Sequence, residues 1–228
     1  MTAAAPPRWI GIDLGASAVH AVALAGPART PRVAGSRLFE SHDLEGLVDW
    51  AAGAGRIAVD APDELSTAPH GADGSLSPKF RRARCAEIAL GRSEGIWVPW
   101  VTPDDPSRVP GWMRVGFAVW AALREAGHEP LEVYPAGVFR LLAGRVPPKK
   151  TTVTGLHERI RALSAHVALP DGIEMWSHDG VDALAAALVA AWSTDGRSRP
   201  VGHPRARCEG SGARCDGSAI WVPDLVHP

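Results

Sequence analysis

Five carboxylates stand at the ends of apolar segments spread along the chain, and their placement points to chemistry. They are Asp13, Asp60, Glu132, Asp179 and Asp182. The last two lie three residues apart at the start of a helix-like run, so we expect them to share one helix face. Acids placed where strands and helices open onto a surface usually bind a divalent cation or hold a proton for chemistry. These five residues are therefore the candidate catalytic residues.

Magnesium and manganese prefer hard oxygen ligands, and sites that cleave phosphodiesters often use two such ions about 4 Å apart. We expect Asp13, Asp60 and Asp182 to bind Mg²⁺ or Mn²⁺, with Glu132 and Asp179 assisting. Without metal, acids that meet at one point repel each other, which raises the pKa of at least one of them. Metal binding should therefore stabilise the fold.

Taken singly, most of these acids also fit ordinary structural roles. Asp13 and Asp60 precede turn residues, Glu132 alternates with apolar neighbours as on an edge strand, and Asp179 suits the start of a helix. Asp182 is different, because small residues continue its side of the helix and allow close approach to a sheet. Its carboxylate should point inward, where an acid needs a partner.

The elements that must position these acids follow from apolar periodicity and from turn residues. Strands are predicted at 9–14, 19–24, 32–39, 56–59, 131–134 and 219–222, and helices at 43–52, 77–91, 112–126, 155–165 and 181–192. This order predicts an α/β fold in which helices flank a sheet of mixed direction. In such sheets the site lies beyond the carboxyl ends of the parallel strands, where Asp13 and Asp60 are placed.

Residues 194–218 are rich in Gly, Arg, Ser and Pro, so we expect a mobile loop there. The whole chain, 1–228, is interpreted as a single domain around that loop. His203, Cys208 and Cys215 fall within it, but their spacing matches no C-x₂-C pair, so no zinc site is expected.

Composition limits the class of protein. A chain of 228 residues with 46% hydrophobic content can bury a substantial core. Its net charge of −1 excludes the strongly basic balance that would indicate nucleic-acid binding from composition alone. No apolar run is long enough to cross a bilayer, so we expect a cytoplasmic protein without a membrane partner. Three cysteines are too few for a disulfide scaffold.

Local basic residues could nevertheless contact phosphates. Residues 79–92 hold five basic side chains against one acid. This predicted basic helix includes Arg84, and beside an acidic metal centre it could hold a substrate strand. A solvated helix face explains the same pattern equally well. Trp97 and Trp100 flank Pro99 and could stack on bases, although packing is favoured.

Five short motifs, in order, resemble those of domain-of-unknown-function family 429. They are Ile12-Asp13-Leu14-Gly15, Val59-Asp60-Ala61-Pro62, Glu132-Val133-Tyr134-Pro135, Lys150 with Gly155 and Arg159, and Asp179-Gly180-Val181-Asp182-Ala183. Members of that family are regarded as predicted nucleases of ribonuclease H-like fold. The similarity spans residues 9–192, and its last motif is also similar to Holliday junction resolvases.

The resemblance implies a ribonuclease H-like, five-stranded mixed sheet flanked by helices, with Asp13 on its first strand and Asp60 after its fourth. It places Asp179 and Asp182 on the last helix and Lys150 at the site as a phosphate ligand. The implied activity is metal-dependent hydrolysis of phosphodiester bonds in RNA or DNA. This chain departs from the family pattern at Ala86, where members often carry an acid.

Two other functions fit the same residues. Asp13-Leu14-Gly15-Ala16-Ser17 resembles the phosphate-binding turn of ATP-binding sugar kinases and actin, although the chain has one copy of it. A protein of this fold that binds without catalysis is the third interpretation. Neither the kind of nucleic acid nor the oligomeric state follows from the sequence.

Overall fold

One seven-stranded sheet organises the computed structural model, which describes residues 8–202, 212 and 214–225. The strands are β1 (Arg8–Leu14), β2 (Ala18–Ala25), β3 (Arg32–Glu40), β4 (Arg56–Asp60), β5 (Leu131–Val133), β6 (Ser198–Val201) and β7 (Ile220–Pro223). They lie in the order β3-β2-β1-β4-β5-β7-β6. The pairs β1–β4, β4–β5 and β5–β7 are parallel, and the other three pairs are antiparallel.

Helices cover both faces of this sheet. They are α1 (Leu44–Ala51), α2 (Cys85–Glu94), α3 (Gly111–Glu125), α4 (Pro135–Ala143), α5 (Val153–Ser164) and α6 (His178–Ser193). On one face α6 packs against the centre of the sheet with α4 and α5 around it, while α1 and α3 pack on the other. Among the described helices, none combines the length and apolarity needed to cross a membrane.

The α/β prediction is confirmed, because a mixed sheet flanked by helices forms the centre of the molecule. Strands β1 to β5 correspond to the first five strands predicted from the sequence. The sheet nevertheless has seven strands, so the expected count of five is corrected. Strand β7 corresponds to the strand predicted at 219–222, and β6, which was not predicted, pairs with it at the edge of the sheet.

Strand β6 lies inside the segment predicted as a loop. Its end residues Ser198 and Val201 are buried, and the Ser198 hydroxyl donates to the Val189 carbonyl at 3.2 Å. Pro200 is compatible with this strand because β6 is at the sheet edge. Residues 203–211 and 213 of the predicted loop, which include His203 and Cys208, lie outside the described residues.

The helix predicted over 77–91 is divided. A 3₁₀ turn, Phe80–Arg82, is followed by extended backbone at Ala83 and Arg84 before α2 begins. Helix α4 was not predicted, although Pro135 suits its first turn. Helix α6 begins before the predicted residue 181 because the Ser177 side chain accepts from the Gly180 amide as an N-cap. Both Asp179 and Asp182 are therefore helical.

Close contact between α6 and β1 depends on Gly11. A Cβ atom there would overlap the Ala183 carbonyl oxygen and the Ala187 nitrogen, both of them backbone atoms of α6. Because backbone of a packed helix cannot move aside cheaply, only glycine allows this approach. The contact holds the first turns of α6 beside the end of β1.

Replacing Gly11 with alanine should destabilise the protein by about 3 kcal/mol or more, because the methyl group must push α6 away from the sheet. Urea denaturation of the purified variant measures the loss. Gly35→Ala in β3 is the matched control, since a Cβ atom there meets nothing within 4 Å. Equal stability of the two variants would contradict the close-approach interpretation.

Candidate active site

The ends of two parallel strands and the start of one helix meet at the same edge of the sheet. Asp13 of β1 is in register with Asp60 of β4, so both acids leave the sheet side by side. Helix α6 brings Asp179 and Asp182 to the same place. Carboxylate oxygens of Asp13, Asp179 and Asp182 all lie within 4.8 Å of one another. Four of the five predicted acids therefore converge.

Asp60 lies beside the closest acid group, so its role as a metal ligand stays a prediction. The predicted ligands were Asp13, Asp60 and Asp182, whereas the closest group contains Asp179 in place of Asp60. The Asp60 side chain instead lies beside Asp13, its register partner on the neighbouring strand, and the charge of Asp13 contributes to the raised pKa of Asp60. Asp60 is thus the neighbour of a three-acid group.

Burial and like charge raise the pKa of two acids of this cluster, Asp13 and Asp60. Burial first, and then the negative charge of Asp182, raise the pKa of Asp13 to about 7. Burial and the adjacent Asp13 also raise the pKa of Asp60 well above its usual range. Because the pKa of each acid is raised by burial and by neighbouring like charge, we expect the Asp13–Asp60 pair to hold one proton near neutral pH.

Two basic side chains balance part of the remaining charge. The Lys150 ammonium donates to Asp179 Oδ1 at 2.9 Å and to Asp182 Oδ2 at 2.7 Å, and Arg159 Nη1 donates to Asp182 Oδ1 at 2.8 Å. Burial favours a lower pKa for Lys150, but Asp182 and Asp179 outweigh it and hold this pKa above its ordinary value. The Arg159 guanidinium lies 4.6 Å from the Phe139 ring centre, which fixes its orientation.

Lys150 was predicted to bind a substrate phosphate. In the structure its ammonium forms ion pairs with Asp179 and Asp182. Gly155 at the start of α5 explains part of this placement, because a Cβ atom there would overlap the Lys149 carbonyl. The residue pattern Lys150, Gly155 and Arg159 thus brings two cations to the acid cluster.

Two histidines lie at the edge of the cluster. His178 Nδ1 is 2.6 Å from Asp179 Oδ1. His20 of β2 is the register partner of Asp13, and burial lowers its pKa. Sequence reasoning missed His20, because only the antiparallel pairing of β2 with β1 brings it near the acids. Arg159 is part of the fourth motif, so the sequence indicated that it could matter. Its hydrogen bond to Asp182 does not follow from the spacing of the two residues.

Glu132 belongs to a separate buried network on the wall of the same cleft. Both its carboxylate oxygens accept from the guanidinium of Arg84, one of them from Nη1 at 2.8 Å. Arg84 Nη1 also donates to Asp63 Oδ1 at 3.2 Å, and its Nε donates to Thr102 Oγ1 at 3.1 Å. The Arg84 side chain is 1% exposed. Its donors are therefore engaged within the protein, and its expected substrate contact remains a prediction.

The other basic residues of the predicted basic helix also bond within the chain. Their partners are the Val98 and Pro99 carbonyls for Lys79, the Leu76 carbonyl for Arg81, Asp104 for Arg82 and Asp73 for Arg92. The division of this segment into a 3₁₀ turn and α2 sends the side chains in different directions. No single phosphate-binding helix face results from these residues.

A cleft of about 390 Å³ opens above the acid cluster. Its polar end includes Asp13, Asp60, Asp179 and Lys150, and the Arg84–Glu132 pair forms another part of its wall. The apolar wall is formed by Val98, Pro99, Trp100, Trp112, Met113 and Tyr134. Charged groups thus face one side of a largely apolar pocket of ligand size.

Residues 111–206 match the model of the family described as "Protein of unknown function (DUF429)". The resemblance seen in the sequence is confirmed over that range. A structure of Thermus thermophilus RuvC is 19% identical, with a TM-score of 0.44, over 83% of this chain and 96% of that chain. A second, T. thermophilus RuvC in complex with Holliday junction substrate, is 18% identical with a TM-score of 0.49 over the same shares. No curated protein matches the chain.

Replacing Arg84 of the buried Arg84–Glu132 pair with an uncharged residue should strongly destabilise the protein. We expect Arg84→Met to lower the free energy of unfolding by about 3–5 kcal/mol, because Glu132 is left buried without its counter-charge. Urea denaturation is the measurement. Arg145→Met is the control, since its ion pair with Glu158 is solvent-exposed and should contribute no more than about 1 kcal/mol. Similar losses in both variants would contradict a buried structural pair.

In EDTA, the free energy of unfolding should fall as pH rises from about 4 toward 7. In this range the folded protein keeps a proton on the Asp13–Asp60 pair that the unfolded chain has released. Rising pH therefore favours the unfolded state. Urea denaturation at several pH values measures the slope, which Asp13→Asn should reduce and the exposed control Asp171→Asn should not. An unchanged slope in Asp13→Asn would show that the pair does not hold the proton.

Proposed function

We propose that this protein is a divalent-metal-dependent nuclease that hydrolyses phosphodiester bonds of nucleic acid. The observation that carries the proposal is the group of Asp13, Asp179 and Asp182, whose oxygens lie within 4.8 Å of one another at the open end of parallel strands. Hard carboxylate oxygens at this separation suit Mg²⁺ or Mn²⁺. The cleft above them gives a substrate phosphate access to the site.

The charges of the site also fit a divalent cation. Four acids face two basic side chains, Lys150 and Arg159, and we expect the Asp13–Asp60 pair to hold one proton when no metal is bound. Once that proton leaves, two negative charges remain unbalanced by the chain. A single divalent ion would neutralise them, so binding should be coupled to proton release.

Each residue then has a distinct task. Asp13, Asp179 and Asp182 would hold the ion. Asp60, which lies beside Asp13, would influence the pKa of Asp13. Lys150 positions two of the ligands through its hydrogen bonds, and its ammonium keeps a third N–H that suits a phosphate oxygen. When bound, the ion supplies Lewis-acid stabilisation of phosphate charge and activation of water.

Glu132 has less support as a participant in chemistry. It lies outside the closest acid group, and its carboxylate pairs with the buried Arg84. We propose that Glu132 and Arg84 keep the cleft wall rigid beside the acids. Their position on that wall supports this task without requiring either side chain to leave its partner.

The purified protein should cleave a labelled oligonucleotide when Mn²⁺ or Mg²⁺ is added, and EDTA should abolish cleavage. We expect Asp13→Asn and Asp182→Asn to reduce the rate by at least about 100-fold, because each removes a charged ligand of the ion. Product formation on denaturing gels is the measurement. Asp171→Asn, an exposed acid away from the cluster, should cleave like the wild type.

Thermal melting separates the outcomes of this experiment. Mn²⁺ should raise the Tm of the wild type and have little effect on Asp182→Asn. A Tm shift without cleavage would reject the nuclease and favour a metal-binding protein of the same fold. The absence of both a shift and cleavage would reject the metal site as well.

A further inference from the structure

Trp100 is exposed in a way that core packing does not explain. Its side chain is 70% exposed on the wall of the cleft, and no described aromatic ring packs against it. Trp97, three residues earlier, lies 4.6 Å from the Phe80 ring centre and covers Gly91. The two tryptophans therefore differ in role, because Trp97 packs and Trp100 presents its ring to the cleft.

The backbone on both sides of Trp100 is held in place. Lys79 Nζ donates to the Val98 carbonyl at 3.1 Å and to the Pro99 carbonyl at 2.7 Å. On the other side, Thr102 is fully buried and donates to Glu87 Oε1 from its amide at 2.9 Å and from its hydroxyl at 2.6 Å. A large apolar ring exposed on a fixed loop is preorganised for a ligand.

The space between Trp100 and the acids limits what that ligand can be. Trp100, Asp13 and Lys150 line one cleft of about 390 Å³, a volume typical of small-ligand sites. This space suits one nucleotide residue, and a base that is stacked on both faces inside a duplex cannot also stack on Trp100. A base would therefore have to be unpaired to reach the ring while its phosphate faces the acids.

Beyond Trp100 lies a second depression of about 190 Å³ that carries positive charge. It shares Trp100, Thr102 and Met113 with the cleft and adds Arg82 and Arg108. Arg82 is balanced by Asp104 at 3.2 Å. Arg108 is exposed, and within the described ranges no carboxylate lies at ion-pair distance from it. Its charge suits the next phosphate of a strand.

We propose that the substrate is a single-stranded segment of nucleic acid, with one base stacked on Trp100 and an adjacent phosphate bound by Arg108. The proposal rests on the nuclease function above and names its substrate class. Aromatic stacking beside a cationic groove is the usual way in which proteins bind unpaired strands.

Fluorescence anisotropy with a labelled single-stranded oligonucleotide of about 12 nucleotides tests the proposal. We expect Trp100→Ala to raise Kd by about 5- to 150-fold, as stacking of one base contributes about 1–3 kcal/mol. Trp100→Phe should keep most of the affinity. Arg108→Gln should weaken binding and reduce the slope of log K against log salt by about 0.7.

Two controls match these changes. Met175→Ala removes another apolar side chain, 84% exposed, and Arg145→Gln removes an exposed arginine; neither residue lines the cleft. Both should bind like the wild type. Oligonucleotide binding should also quench tryptophan fluorescence less in Trp100→Phe, a readout that remains available if Trp100→Ala does not fold.

Unchanged affinity in Trp100→Ala, or a duplex that binds as tightly as the single strand, would overturn the proposal. Binding is measured in EDTA, with the oligonucleotide shown to remain intact, so the result does not depend on hydrolysis. A Trp100-dependent Kd without Mn²⁺-dependent cleavage would reject the nuclease but keep the strand-binding site. Mn²⁺-dependent cleavage together with an unchanged Kd in Trp100→Ala would keep the nuclease and reject the strand-binding site.

Discussion

Close packing of α6 against β1 is the constraint on which the rest of the site depends. Gly11 allows backbone of the helix to touch the strand, and a row of buried alanines on α6 keeps the two elements together. Asp179 and Asp182 at the start of this helix therefore face Asp13 at the end of the strand. A wider separation would place the same acids on unrelated surfaces.

Packing so close brings like charges together, and the neighbouring side chains reduce the resulting repulsion. Lys150 and Arg159 neutralise the acids of α6, and the raised pKa of Asp13 and of Asp60 favours a proton on that pair. Buried acids that are only partly neutralised make a cation-binding site favourable. The second network, around Arg84 and Glu132, is closed on itself and so contributes rigidity to the cleft rather than free charge.

Sequence patterns located most of the elements because apolar periodicity reports directly on burial. They failed where local signals conflicted with tertiary packing. Strand β6 has a loop-like composition, yet pairing with β7 and burial of Val201 make it a strand. The helix predicted over 77–91 is broken at Ala83 and Arg84, because Arg84 must turn inward to reach Glu132.

The amino-acid sequence by itself determined the α/β class and the strand ends that carry Asp13 and Asp60, since both depend on local periodicity. The pair Asp179 and Asp182 also follows from local spacing. Only the tertiary structure decided that Asp179 joins the closest acid group, that Lys150 and Arg159 bond to it, and that Glu132 pairs with Arg84. These partners come from elements distant in sequence, and their distances depend on strand register and helix packing, which no local pattern encodes.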